Sequence, residues 1–243
     1  MTMGRWGTVC VIPARAGSKR VPGKNVRPLA GQALVVWSVR AALGTPEIDR
    51  TIVSTDDPRV RDAVCDFDLT VVERPPALAT SRASTDDVLR HVDEYLGGAK
   101  DGPELLVLLQ ATSPFREAGR VSEGVHRMRQ HPDAARLVEV TSQSLFSGAV
   151  ADGGWHPSFS EDTRSQDLPP IWHPTGGLYI YRCALWFDRR PDGTERNLAL
   201  ETSLERCVNI DHEADFAWAE HVYHRFSQDY AYLDPSSHCP ARH

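Results

Sequence analysis

No apolar run in this 243-residue chain approaches the roughly 20 residues that span a bilayer, so a membrane helix is excluded. The N-terminus, Met1-Thr2-Met3-Gly4-Arg5-Trp6, lacks the apolar core of a secretory leader, and the cytoplasm is the expected compartment. No CxxC pair occurs. The five cysteines (Cys10, Cys65, Cys183, Cys207, Cys239) are scattered and odd in number, which argues against a zinc site and against a disulfide framework. Cys10 stands in an apolar run and is expected to serve packing. A net charge of −6 leaves no basic excess for a general nucleic-acid surface. Lysine is scarce, with three among 27 basic residues.

Two of those three lysines, Lys19 and Lys24, fall in Val11-Ile12-Pro13-Ala14-Arg15-Ala16-Gly17-Ser18-Lys19-Arg20-Val21-Pro22-Gly23-Lys24-Asn25. An apolar run at 9–12 ends there in a loop of small residues and cations. Backbone N–H groups and fixed cations both stabilise clustered negative charge, so the loop is expected to hold a polyphosphate. It is not a Walker A loop: five residues separate Gly17 from Gly23, and Asn25 follows Lys24 where a hydroxyl would be needed. The dinucleotide fingerprint G-x-G-x-x-G is absent as well. The alternative reading is an exposed basic turn, since Gly and Pro punctuate many surface loops.

Composition is that of an ordinary globular protein, with 41% hydrophobic and 25% charged residues, and the length fits one α/β domain. Strand patterns at 8–12, 51–54, 69–72, 104–109, 135–140, 177–181 and 208–210 alternate with helical patterns at 34–43, 57–65, 84–96, 117–129 and 213–226. Asp57-Pro58 opens one helix with Pro in its first turn, and Ser84 or Thr85 starts another. This βαβα order predicts a mostly parallel sheet with helices on both faces. The regularity breaks at 142–173, where Gly153-Gly154, Pro157 and Pro169-Pro170 stand among isolated aromatics. That segment is expected to be a lid, a dimerisation arm, or both, inserted in a single domain of residues 1–243. The tail after Asp229 is expected to be poorly ordered.

Four further stretches fall at strand ends, where ligands bind in open parallel sheets. They are Ser54-Thr55-Asp56-Asp57, Glu73-Arg74-Pro75, Leu108-Leu109-Gln110-Ala111-Thr112-Ser113-Pro114-Phe115-Arg116 and Asn209-Ile210-Asp211. With the first loop they form the ordered pattern A-R-x-G-S-K…K-N, S-T-D, R-P…L-A, L-L-Q-x-T-S-P-x-R and a late acidic motif. This pattern resembles the acylneuraminate cytidylyltransferases, the enzymes that activate sialic and other sugar acids as CMP conjugates. The resemblance runs from about residue 8 to 220. It implies a Rossmann-like, GT-A-like nucleotidyltransferase fold, CTP as donor, Mg²⁺ and a homodimer. It implies that Ala14, Arg15, Gly17, Ser18, Lys24 and Asn25 hold the triphosphate, that Arg74 and Thr85 line the cytosine and ribose pocket, and that Gln110 faces the acceptor. Arg15, Lys24 and Asp211 would then carry catalysis by positioning and charge stabilisation. Arg116 either contacts substrate or ties its loop to a neighbouring helix. Asp57 is expected to cap a helix, with Asp56 either at the nucleotide or in a cap of its own.

Two departures from the pattern bear on function. The late motif has Asn209 where the relatives carry an aspartate, so Asp211 is the expected metal ligand and Asn209, which brings no charge, the weaker one. Before the returning strand the chain has His173-Pro174-Thr175-Gly176-Gly177 in place of an R-P-N-G type stretch. Arg164, His173 and Thr175 join Gln110 as candidate acceptor-binding groups, because arginine can grip a carboxylate or phosphonate with two bonds. The expected reaction is transfer of CMP to an anionic small molecule, foremost a nonulosonic or related sugar acid. A phosphonate acceptor, another nucleotide donor, and a nucleotide-binding protein without turnover are the alternatives.

Overall fold

The computed structural model describes residues 7–117, 119–187 and 193–233. The N-terminal residues 1–6, read above as lacking a leader's apolar core, and the last ten residues of the tail, Cys239 among them, lie outside them. Strand β1 (Thr8–Pro13) is followed by the short pair β2 (Pro28–Leu29) and β3 (Gln32–Ala33), then helix α1 (Leu34–Leu43). Next come β4 (Arg50–Thr55), α2 (Pro58–Val64), β5 (Thr70–Glu73), α3 (Thr85–Tyr95), the single turn α4 (Gly98–Asp101) and β6 (Leu105–Leu108). The second half holds α5 (Arg120–Gln130), β7 (Arg136–Gln143), β8 (Gly148–Ala151), β9 (Gly154–Pro157), β10 (Ile171–Arg182), α6 (Cys183–Trp186), β11 (Asn197–Glu201) and α7 (Glu213–Arg225).

Seven strands form one sheet in the order β11-β7-β10-β6-β1-β4-β5. All its pairings are parallel except those of β10, which runs antiparallel between β6 and β7. β1 is central, with Val11 opposite both Ile52 and Leu108. Its alternation feeds two cores, as a strand covered on both faces requires. Cys10 and Ile12 point into a large cluster with Val35, Trp37 and Val39 of α1, Val125 and Met128 of α5, and Phe216 and Val222 of α7. Val9 and Val11 point into a second cluster with Leu89 and Val92 of α3 and with Tyr181 and Phe187.

The caps account for where the helices begin. Asp57 accepts from the Arg59 N–H at 3.0 Å before Pro58, so it is the expected cap. Ser84 and Asp87 form a reciprocal capping box at α3. α5 starts three residues later than its pattern, after Gly119 at φ +76°, a conformation that favours glycine.

Four expectations need correction. Residues 208–210 are not a strand: Ile210 makes a single backbone bond to Thr112 at 2.8 Å, and β11, without an expectation of its own, takes the sheet edge beside β7. The returning strand is much longer than 177–181. β10 spans 12 residues, and its register against β7 shifts between Pro174 and Tyr179, which accommodates Gly176 and Gly177. The irregular segment is correspondingly shorter, because Gln143 of β7 already pairs with Ile171, and β8 and β9 form an antiparallel hairpin inside it. The tail is packed as far as Leu233. Tyr230 is buried with its ring stacked on Phe115 at 4.9 Å, and the buried Leu233 accepts a bond from the Gln32 side chain at 3.2 Å.

Candidate active site

The ends of β1, β5 and β6 open into a cavity of about 530 Å³. The first loop forms one wall and is pinned from several sides. The Ala14 N–H donates to Ser54 O at 3.0 Å, and Thr55 Oγ1 donates to Ala14 O at 2.5 Å. The Ala16 N–H donates to Asp56 Oδ1 at 2.9 Å, so Asp56 shapes the loop from behind. Asn25 Nδ2 donates to Arg15 O at 3.0 Å, and Gly23, at φ +67°, starts the short turn carrying Lys24. The Arg15 guanidinium crosses to Thr80 O at 2.8 Å.

The buried Lys24 reaches across the mouth of the sheet, donating to Ile210 O at 2.6 Å and to Asp211 Oδ1 at 3.2 Å. Burial lowers its pKa, and the Asp211 carboxylate partly restores it. Arg20 donates to the same Asp211 oxygen at 2.9 Å, while Asn209 Nδ2 lies 3.3 Å from Oδ2. Asp211 is in turn held by Asp215, whose Oδ2 accepts from the backbone N–H groups of Asp211 at 2.7 Å and His212 at 2.6 Å.

On the opposite wall the buried Arg74 donates to Ser54 O at 2.8 Å and to Ser54 Oγ at 3.3 Å. Burial lowers its pKa to about 10, with the Asp56 carboxylate opposing and Arg15 adding to the drop. Leu78, Ser84, Thr85 and Val88 complete that side, an apolar slot edged with hydroxyls. Gln110 lines the floor beside Thr112. The buried Arg116 stays out of the cavity and works behind it. It donates to Gly177 O at 2.8 Å, Gln110 O at 3.1 Å and Ser38 Oγ at 3.1 Å, tying the loop to α1 and β10. Gly176, at φ +81°, passes so close that a Cβ would lie 3.1 Å from Ser113 Oγ and 3.4 Å from Gln110 Oε1.

Of the residues proposed from sequence, Arg15, Ser18, Lys24, Asn25, Arg74, Thr85, Gln110, Asn209 and Asp211 line this one cavity. Ala14 and Gly17 belong to the loop but not to the lining. Three acceptor candidates lie elsewhere in this chain. Arg164 is exposed and pairs with Asp167 at 2.8 Å. His173 faces Gln143 at 3.0 Å on β7. Thr175 is buried and donates to Glu139 at 2.6 Å, beside a small second cavity of about 20 Å³. Arg20, Thr80 and Asp215 carry the site without having been expected there. Asp215 stands three residues after the cap residue His212, as Asp87 does after Ser84, and that spacing is the one signal for it in the sequence.

Among the described residues no group of three His, Cys, Asp or Glu side chains can hold a metal by itself. Asp211 supplies one carboxylate and Asn209 one amide oxygen. That donor set fits a magnesium ion whose other ligands are substrate phosphates and water. No helix among the described residues is long and apolar enough to cross a membrane.

The sequence profile of the family described as Cytidylyltransferase matches residues 9–153. The chain is 30% identical over 231 residues to an N-acylneuraminate cytidylyltransferase of Streptococcus agalactiae serotype III, covering 92% of this chain and 54% of that protein. The chain thus spans about half the length of that relative. It is 30% identical over 234 residues to a CMP-N,N'-diacetyllegionaminic acid synthase of Legionella pneumophila, covering 87% of this chain and 94% of that one. Among solved structures it is similar to a CMP:2-keto-3-deoxy-manno-octonic acid synthetase complexed with CTP, with a TM-score of 0.68, 18% identity, and 90% and 99% of the two chains covered. A 4-diphosphocytidyl-2C-methyl-D-erythritol synthase from Anaerococcus prevotii follows the same path, with a TM-score of 0.63 and 13% identity over 90% and 97% of the two chains. The fold is therefore the Rossmann-like fold of nucleotidyltransferases. With a matching profile over more than half its length and a relative matched almost end to end, the chain belongs to the cytidylyltransferase family.

Proposed function

We propose that this protein transfers CMP from CTP to a sugar acid and releases pyrophosphate. The observation that carries the reading is the single cavity in which Arg15, Lys24, Arg74 and Asp211 converge at the strand ends. The names of the relatives, which include N-acylneuraminate cytidylyltransferase and CMP-N,N'-diacetyllegionaminic acid synthase, support the donor and the class of acceptor.

The triphosphate lies along the first loop, with Arg15, Ser18 and Lys24 on its oxygens. The base enters the slot between Leu78, Val88 and Arg74, where a guanidinium held by Ser54 offers donors to the acceptor atoms of a pyrimidine. The acceptor's hydroxyl oxygen bonds to the α-phosphorus as the bond to pyrophosphate breaks, and its proton is released. Lys24 and Arg15 stabilise the negative charge that builds on the phosphate oxygens, which need not reorganise solvent because both cations are already fixed. Asp211 orients Lys24. Asp211 and Asn209 would hold Mg²⁺ against the triphosphate, where the ion supplies Lewis-acid charge stabilisation.

The acceptor enters from the side of Gln110. Leu145, Phe146, Val150, Trp155, Ile171 and Trp172 are exposed apolar residues on and beside the β8–β9 hairpin. Such a patch supports a homodimer formed through this arm. Arg164 and His173, which lie outside the cavity of their own chain, serve the acceptor from across that interface. Sedimentation at micromolar concentration tests the dimer, and a monomer there removes it. The reaction belongs to the cytoplasm, where CTP is made.

Pyrophosphate release measured with CTP, Mg²⁺ and a panel of sugar acids and phosphonates tests the activity. Release with a sugar acid supports the reading. Release only with a phosphonate moves the acceptor class, and faster release with UTP or ATP than with CTP overturns the donor. Tight CTP binding without release from any acceptor points to a nucleotide-binding protein that has lost turnover.

A further inference from the structure

Pro174 of β10 pairs with Val140 and Tyr179 with Val138, so residues 175–178 stand opposite Glu139 alone. A strand with surplus residues on one side bends and re-aims its side chains, and such bulges cluster beside active sites. Gly176 carries the tip of this one at φ +81°. A Cβ on Gly176 would lie 3.4 Å from Gln110 Oε1 and 4.0 Å from Asn209 Cγ, and both of those residues line the main cavity. The bulge is therefore the backing of the wall by which the acceptor enters.

Both polar backbone groups of Gly177 are gripped. Its N–H donates to Thr175 Oγ1 at 3.0 Å, and its carbonyl accepts from Arg116 at 2.8 and 3.0 Å. The Thr175 hydroxyl donates in turn to Glu139 Oε2 at 2.6 Å. A carboxylate only accepts, so it turns the hydroxyl proton toward itself and leaves an oxygen lone pair for Gly177. Glu139 is buried, with Arg120 Nε 3.3 Å away as its counter-charge. A Cβ on Gly177 would lie 2.6 Å from Glu139 Oε2, so the carboxylate lies directly against the bulge. The adjoining space of about 20 Å³ holds no more than one water. Glu139 thus supports the wall from behind and does not touch substrate.

We propose that Glu139, acting through Thr175, is a positioning residue for the acceptor: it sets the bulge against which the Gln110 side chain rests. The inference rests on the cytidylyltransferase reading above and concerns its acceptor half alone. A bulge that loosens gives the Gln110 amide room to move, and a misplacement of about 1 Å can cost about 10²-fold in rate. The first loop and Arg74 are held by bonds to Asp56, Arg15 O and Ser54 O, so CTP binding is spared.

Initial rates of pyrophosphate release by the full chain test this, at saturating CTP and magnesium chloride, with the acceptor that gives the fastest release in the panel above. Calorimetric titration with CTP runs beside them. The proteins are wild type, Thr175→Val, Thr175→Ser and Glu139→Gln. Thr175→Val keeps the volume and removes the hydroxyl. It is expected to lower kcat/KM for the acceptor by about 10- to 100-fold, chiefly through KM, with Kd for CTP within about twofold of wild type. Thr175→Ser keeps the hydroxyl and should stay within about threefold of wild type. Glu139→Gln still accepts from Thr175 but removes the charge facing Arg120, and should lose about 3- to 10-fold. An unchanged acceptor KM in either Thr175→Val or Glu139→Gln overturns the proposal. Equal losses for acceptor and CTP also overturn it, because they mark a general loss of structure. These outcomes leave the transferase reading intact, whereas wild type that releases no pyrophosphate with any acceptor overturns that reading and this role with it.

Discussion

Replacing Asp215 tests how the late acidic motif is held. Asp215 is the third residue of α7, and its Oδ2 accepts the backbone N–H groups of Asp211 and His212 at 2.7 and 2.6 Å. Burial works to raise its pKa, but the two backbone bonds, with His212 and Lys24 nearby, outweigh it and hold the carboxyl below the usual carboxylate range. Asp215→Ala removes both acceptors. A hydrogen bond to a charged group is worth about 1.5–3 kcal/mol when well shielded, and loss of a helix-start acceptor costs about 0.5–2 kcal/mol. Asp215 is only partly buried, so water replaces much of what is lost and about 1–2 kcal/mol is expected. For a domain of this size that lowers Tm by about 2–8 °C. The pH dependence has a defined sign. A carboxyl with a depressed folded pKa contributes stability above its unfolded value, about 3.9, and loses it as the pH falls through the folded value. Urea midpoints of wild type and variant should therefore stay a fixed distance apart from pH 7 to 5 and converge as the pH falls below about 4. A gap already absent at pH 7, or one unchanged at pH 3, would refute the role given to this carboxylate.

Lys24→Ala should lower kcat/KM for CTP turnover by about 10²–10³-fold, because its charge acts on the developing phosphate charge, and lower Tm by a few degrees through the loss of its bond to Ile210 O. A loss under threefold would move Lys24 out of the chemistry. Arg116→Met leaves the carbonyls of Gly177 and Gln110 without their side-chain donor, at about 1–3 kcal/mol each, and thermal unfolding should show a drop of at least about 4 °C. An unchanged Tm would show that the loop does not depend on this tie. Asn209→Asp adds a charged oxygen ligand and should raise turnover at limiting magnesium, measured by pyrophosphate release. Equal magnesium dependence in both proteins would show that position 209 does not limit metal binding.

The elements best legible in the sequence are those whose signals are local. α1 is an apolar face over ten residues, α2 is announced by Asp57-Pro58, and α3 by Ser84 with Asp87. β10 is readable only from Gly177 onward, because Pro174 and Gly176 look like a turn. Its pairing with β7 on both sides of the break, at Ile171–Pro174 and again from Tyr179, is what carries one strand across those residues. β11 exists because β7 offers an edge, a fact external to its own five residues. The site divides in the same way. Arg15, Ser18, Lys24 and Asn25 share one loop whose chemistry is visible in a single glance along the chain. Arg20 becomes a site residue only through Asp211, 191 positions away, and Asp215 only through the fold of the segment that precedes it.

The ring stack that closes on the loop after β6 sets the order in which this protein can mature. Phe115 is gripped by Trp37 at 5.2 Å, Tyr223 at 6.0 Å and Tyr230 at 4.9 Å. Two of those three rings, like Asp211, stand C-terminal to β10. A nascent chain that has emerged as far as β10 therefore owns the sheet and the cationic loop, yet has neither the anion that orients Lys24 nor the aromatic roof that steadies Gln110. Domains form from the N-terminus during synthesis, and such incomplete species expose apolar surface. The half-built pocket would be strongly basic and open to any polyanion, so competence to bind a nucleotide selectively arrives only once the segment after β10 has emerged and packed.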